Sequence, residues 1–307
     1  MLVNHSSSNT SVPALPSDNS SFSVFFQCLM TTPSSFIFIG IDINIIILML
    51  PLSVFILHHG VQQWLQRRST STAAISHSDC FTYHMVAMEI LGVFGYSLNL
   101  AGILRGDVYI IRIGDFFTSL TWFGQIFFHV LTCLERHLAV VHPIVYLRLK
   151  NERGIRIRNV GIGCAWMLSA AGMSVMMMTT FFYIWDFCIL LSSLAVLILC
   201  SVSVLRVLIR PGPGEPGEGR EAAAQLKQRA FCMISTILGV LVVRFAWNFV
   251  WEIIFMRGSQ SDCVLLAVCV WFNVPSSLVL PLLFLHRAGM FVGCGNEKQS
   301  GKEKLIK

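Results

Sequence analysis

The sequence predicts an all-α membrane protein, a bundle of seven transmembrane helices with its N-terminus outside and its C-terminus inside. Three observations predict it. Of the 307 residues, 55% are hydrophobic and 12% charged, and the mean hydropathy is +0.69, whereas soluble domains carry roughly a quarter charged residues. Seven apolar runs follow one another, at about 36–57, 81–103, 113–141, 160–180, 187–208, 231–255 and 263–285, each close to the ~20 residues that a bilayer crossing takes. The basic residues are one-sided: four of the 22 Lys and Arg (Arg105, Arg112, Arg244 and Arg257) fall at outer or mid-membrane positions, and the remaining 18 fall in the first loop, in 136–158, in 206–229 and in the C-terminal tail. Basic loops stay cytoplasmic, and seven crossings from an outside start leave the C-terminus on that same side. The net charge of +6 therefore belongs to cytoplasmic loops, and no nucleic-acid partner is expected.

Residues 1–33 are rich in Ser, Asn and Pro, contain no Lys or Arg, and hold three acceptor tripeptides at Asn4, Asn9 and Asn19. A cluster of acceptors confined to such a stretch predicts a disordered, glycosylated extracellular tail. No basic segment precedes an early apolar run, so the first helix is expected to act as a signal anchor. Residues 34–285 form the seven-helix domain, and 286–307 a cytoplasmic tail opening with a short interfacial helix at His286, Arg287 and Phe291.

Within the runs, the polar residues are the informative ones. Asp42 in the first reads as an interfacial, solvated carboxylate, with a pore or ligand group as the alternative. Glu89 stands at mid-depth in the second, among Met85, Val86, Met88 and Leu91. In the third, Thr118, Trp122, Gln125, His129, Thr132 and Arg136 recur every three or four residues, one face of a helix. That stripe must turn inward, because an ionised side chain facing lipid costs several kcal/mol. The break between the fourth and fifth runs is placed at Trp185 and Asp186. Residues 210–219 read as a flexible linker, and 221–227 as a helix extending the sixth run into the cytoplasm. The seventh run holds Pro275 and Pro281, each able to bend it.

The third run ends in Thr132-Cys133-Leu134-Glu135-Arg136-His137, followed by Pro143 and Ile144. This stretch resembles the end of the third helix of rhodopsin-like (class A) G-protein-coupled receptors, where an acid precedes an arginine and a proline opens the second cytoplasmic loop. The resemblance implies that Glu135, Arg136, His137, Pro143 and Ile144 engage a heterotrimeric G protein. It also implies that Glu89 matches the carboxylate that holds a sodium ion in many members, and that Trp166 packs on the second and third helices. Leu280-Pro281-Leu282-Leu283-Phe284 stands where the family has Asn-Pro-x-x-Tyr, and Cys294 is a palmitoylation candidate. The usual cysteine at the top of the third helix is missing, as are the Cys-Trp-x-Pro of the sixth and the proline of the fifth. By the same resemblance Cys28 pairs with Cys263, with Cys188 as the competing partner.

Arg244, in mid-helix, needs an anionic partner. Two arrangements are open: a core pair with Glu89, or an outer cavity binding an acidic ligand beside Trp247, Asn248 and Trp251. The intramembrane polar core is expected to comprise Glu89, Arg244, Asn273 and Pro281. A ligand cavity between the outer halves of the third, sixth and seventh helices would be lined from Asp115, Thr118, Trp122, Trp247, Asn248, Trp251 and Asn273. With Thr118 at the depth where amine receptors carry Asp, an amine ligand is disfavoured. The expected function is a plasma-membrane receptor that transduces an unknown extracellular ligand to a G protein. The alternatives are a non-signalling seven-helix partner protein and a transporter or channel. No enzymatic activity, catalytic residue, cofactor or metal is expected.

Overall fold

In a computed structural model of the chain, residues 21–70, 77–149, 151–178, 182–209, 235–236, 238–250, 253 and 263–287 are described. Asn4, Asn9, Asn19, Trp251, Cys294, the linker and the predicted helix at 221–227 lie outside them. The described residues are helical, without strands. In chain order the helices are α1 (Ser21–Met30), α2 (Ser34–Thr70), α3 (His77–Arg105), α4 (Val108–Val141), α5 (Pro143–Arg148), α6 (Glu152–Met178), α7 (Phe182–Ile209), α8 (Leu238–Val250) and α9 (Cys263–Arg287). Five of them, α2, α3, α4, α7 and α9, are long and apolar enough to cross a membrane. The described residues are thus those of an all-helical protein with several candidate membrane-spanning helices.

Four expectations need correcting. Residues 21–30 are not part of a disordered tail: they form α1, and Phe26, Cys28 and Leu29 are buried. The Ser- and Asn-rich composition ends just before Val24-Phe25-Phe26, and the remaining apolar residues have a surface to cover. Trp185 and Asp186 do not interrupt the chain after the fourth run but lie within α7, which begins at Phe182. A single acid among aromatic residues marks a helix start only loosely. His286 and Arg287 close α9 rather than opening a new helix. Finally, Asp42 is not solvated but 5% exposed, and α1 folds back against the start of α2. There Phe26, Leu29, Phe38, Ile41 and Ile45 form one apolar cluster with Ile111, Leu266 and Val274.

A disulfide between Cys28 and Cys263 ties α1 to the first residue of α9, which selects the expected pair over Cys188, a free and exposed cysteine. α3 reverses into α4 through Gly106, whose φ of 68° favours glycine. Asp107 then caps α4, its Oδ1 accepting from the N–H of Tyr109 at 2.9 Å and of Ile110 at 3.4 Å. This cap starts the helix five residues before the predicted apolar run.

The antiparallel α3–α4 pair is the most extensive in the bundle, and glycine permits it. A Cβ on Gly114 would collide with the Asn99 side chain and stand 2.8 Å from the Asn99 backbone nitrogen, whereas one on Gly163 would meet nothing within 4 Å. Gly114→Ala is therefore expected to cost about 1–3 kcal/mol and Gly163→Ala close to nothing, measured by thermal unfolding of the purified protein.

Candidate functional site

The polar stripe of α4 faces the bundle interior, with Gln125, His129 and Thr132 buried. From α8, Arg244 enters the same space with no exposed surface. Its Nη1 donates to Gln125 Oε1 at 2.7 Å and to Ser276 Oγ at 2.9 Å, and its Nη2 to the Trp122 carbonyl at 3.5 Å. The guanidinium carbon stands 5.5 Å from the centroid of the Trp122 ring, within cation–π range. Gln125 passes the connection on: its Nε2 donates to Glu89 Oε1 and to Ser277 Oγ, both at 2.8 Å. Facing a guanidinium on one side and a carboxylate on the other, the amide satisfies both only with its oxygen towards Arg244 and its nitrogen towards Glu89.

Of the two arrangements open for Arg244, a core pair with Glu89 is the nearer, but the two do not meet directly. The structure joins them through Gln125 instead, in a relay that spans α3, α4, α8 and α9. His129 closes it from below, with its ring nitrogens against the carbonyls of Gln125 and Ser276. A neutral imidazole can donate to only one of the two. Asn273 enters from α9: its Oδ1 accepts from Asn248 at 3.1 Å, and its carbonyl from Ser276 Oγ at 2.7 Å. Pro281 is buried in the same helix. Ser276 and Ser277 had given no sequence signal, although they directly follow Pro275. Gln125 had one, its place on the stripe.

The residues expected to line a ligand cavity divide into two sets. Trp122 and Asn248 are bonded to the Arg244 relay, and Trp247 stacks on Phe272 with ring centroids 4.6 Å apart. Asp115 belongs elsewhere, buried against α3 with its Oδ1 accepting from Asn99 Nδ2 at 3.2 Å. Thr118 donates to the Asp115 carbonyl of its own helix at 3.2 Å. Trp166 packs as ordinary core on α3 and α4, donating to His84 Nδ1 at 3.4 Å and meeting the Phe128 ring edge-on.

At the far end of α4, Arg136 Nε stands 3.7 Å from Glu135 Oε2. Glu135 is buried and accepts from the Tyr146 hydroxyl at 2.8 Å, a contact sequence spacing did not reveal because it depends on how α5 turns back. His142 ends α4, and Pro143 opens α5 in its first turn, where its missing N–H costs nothing. His137 Nε2 lies 3.2 Å from Ser203 Oγ of α7, and Ile144 is 69% exposed. A cavity beside Arg136 is bordered by Leu197 and Val204 of α7 and Leu238 of α8.

The site therefore defines a class: a helical membrane protein with an ionic relay in its core and an arginine–glutamate pair at one end. No protein-family model matches the chain, and no curated protein matches it.

Proposed function

We propose that the chain is a seven-helix receptor of the plasma membrane that couples an extracellular ligand, not an amine, to a heterotrimeric G protein. The observation that carries this reading is the foot of α4. There Arg136 is paired with Glu135, 27% of its side chain is exposed, and it borders a cavity between α4, α7 and α8. An arginine beside such a small cavity can turn towards a partner when the helices around it part. The exposed Ile144, just beyond on α5, offers that partner an apolar contact.

On this reading α6 and α8 complete the seven crossings. α6 has 27 residues, about 40 Å at 1.5 Å per residue. It opens on the charged Glu152, Arg153, Arg156 and Arg158 and then carries small residues, Gly161, Ala165, Ser169 and Gly172, the kind that let membrane helices approach closely. The Cys28–Cys263 disulfide supports an oxidising, extracellular environment for its end of the bundle, in accord with the basic residues at the other. A ligand that repositions α8 acts through Arg244, whose bonds run to α4 and α9.

The test is guanine-nucleotide exchange on a panel of Gα subunits with the full-length protein, wild type against Arg136→Ala. The wild type is expected to stimulate exchange and the variant to lose at least ~10-fold of it, about 1.4 kcal/mol of coupling, at unchanged surface expression. One observation favours a second reading, a non-signalling partner protein: Arg244 clamps α8 to α4 and α9 through buried bonds. A wild type silent with every Gα, together with normal surface expression, would select it.

A further inference from the structure

Two of the free cysteines meet between α4 and α7. Cys133 lies three residues before Arg136 on α4, and Cys200 is on α7. The Cys133 thiol donates to Cys200 Sγ and accepts from the Ser201 hydroxyl. Leu197, Cys200, Ser201 and Val204 recur every three or four residues, one face of α7, and all four are buried. With Cys133, Arg136 and Leu238 they line one small cavity, with space for about one water.

The size and the walls of this cavity narrow what it can take. Apart from the two sulfurs, its side chains offer only the Ser201 hydroxyl and the Arg136 guanidinium as polar groups. An organic molecule or a hydrated divalent ion is too large for it. Zinc takes four ligands in structural sites, and among the described residues no group of three or more His, Cys, Asp or Glu could hold a metal. Thiolates select soft ions. A closed-shell monovalent ion has no ligand-field preference for more than two ligands, and two sulfurs in line with it suffice.

We propose that Cys133 and Cys200 bind one copper(I) ion between α4 and α7. Each thiol gives up its proton, two sulfur–copper bonds replace two S–H bonds, and the copper stays monovalent throughout. With metal–sulfur bonds of ~2.3 Å, the ion holds the sulfurs ~4.6 Å apart, little beyond hydrogen-bond contact. The product carries one negative charge. Arg136, already paired with Glu135, borders the same cavity and brings a positive charge to its rim, which lowers the cost of burying that anion. The bound ion joins α4 to α7 within a turn of Arg136.

The site stands whether or not the chain couples to a G protein, and its test does not measure coupling. The reduced full-length protein, purified in detergent, is titrated with copper(I) against the chromophoric chelator bathocuproine disulfonate. The wild type is expected to withhold one equivalent from the chelator and to gain about 3 °C in Tm. Both effects should be lost in Cys133→Ser and in Cys200→Ser, and persist in Cys164→Ser, at an exposed cysteine. X-ray absorption at the copper edge of the loaded wild type should show two sulfur neighbours, a readout independent of how the variants fold. Copper left entirely with the chelator, an equivalent retained in both serine variants, or a shell containing nitrogen would overturn the proposal. A Cys133–Cys200 disulfide that persists in reductant would make the pair a covalent cross-link and overturn it as well.

Discussion

Arg244→Ala is expected to destabilise the protein by about 3–5 kcal/mol, the usual consequence of removing one member of a buried ionic network. The loss comes less from the contacts of Arg244 than from what it leaves behind. Glu89 stays buried and keeps its bond from Gln125, but no cation remains in the relay. Gln125 Oε1 and Ser276 Oγ lose their donor at the same time. The fraction of monodisperse protein after detergent extraction, followed by thermal unfolding, measures the effect. Glu89→Gln combined with Arg244→Gln should recover part of it, with an interaction energy of at least ~1 kcal/mol between the two sites. Gln125→Leu separates a relay from a direct pair. If Gln125 is the bridge, its loss costs about as much as that of either charge; a near-neutral Gln125→Leu would mean that Arg244 and Glu89 can meet without it.

Cys28→Ser, alone or with Cys263→Ser, is expected to cost about 2–5 kcal/mol and to release α1 from the bundle. The bond joins residues 235 apart in sequence, so its loss frees a long stretch of unfolded chain. In the folded protein Phe26 and Leu29 would lose their hold on the cluster with Phe38, Ile41 and Ile45. Ser34 Oγ, which donates to the Cys28 carbonyl at 2.6 Å, retains α1 only weakly on its own. Faster proteolysis within 21–33 in intact cells and a lower Tm are the readouts. Cys188→Ser, at an exposed free cysteine, should change neither.

Much of the fold was legible because the bilayer imposes a simple code. Apolar runs of the right length give the candidate spanning helices, and polar residues recurring every three or four positions give the face that turns inward. Gln125, His129 and Thr132 are buried as that repeat on α4 requires. The pairing of Cys28 with Cys263 was also within reach. Less legible were features that arise where segments distant in sequence meet. Asp42 looked solvated from its place near a run's end, and α1 looked like tail. Tyr146 reaches Glu135 only because α5 folds back under α4, and Ser276 and Ser277 matter only because Arg244 arrives opposite them.

The sequence by itself determined that the chain is helical, that it belongs in a membrane, and that Glu89 and Arg244 needed company in its interior. Hydrophobic length, local periodicity and the cost of isolated charge are properties readable from neighbouring residues. Only the tertiary structure decided who the company is: Gln125 between the two charges, Asn99 against Asp115, and α1 tied to α9 by a disulfide. Those choices depend on the rotation and depth of each helix against the next, which packing at contacts such as Gly114 on Asn99 fixes and no single helix encodes.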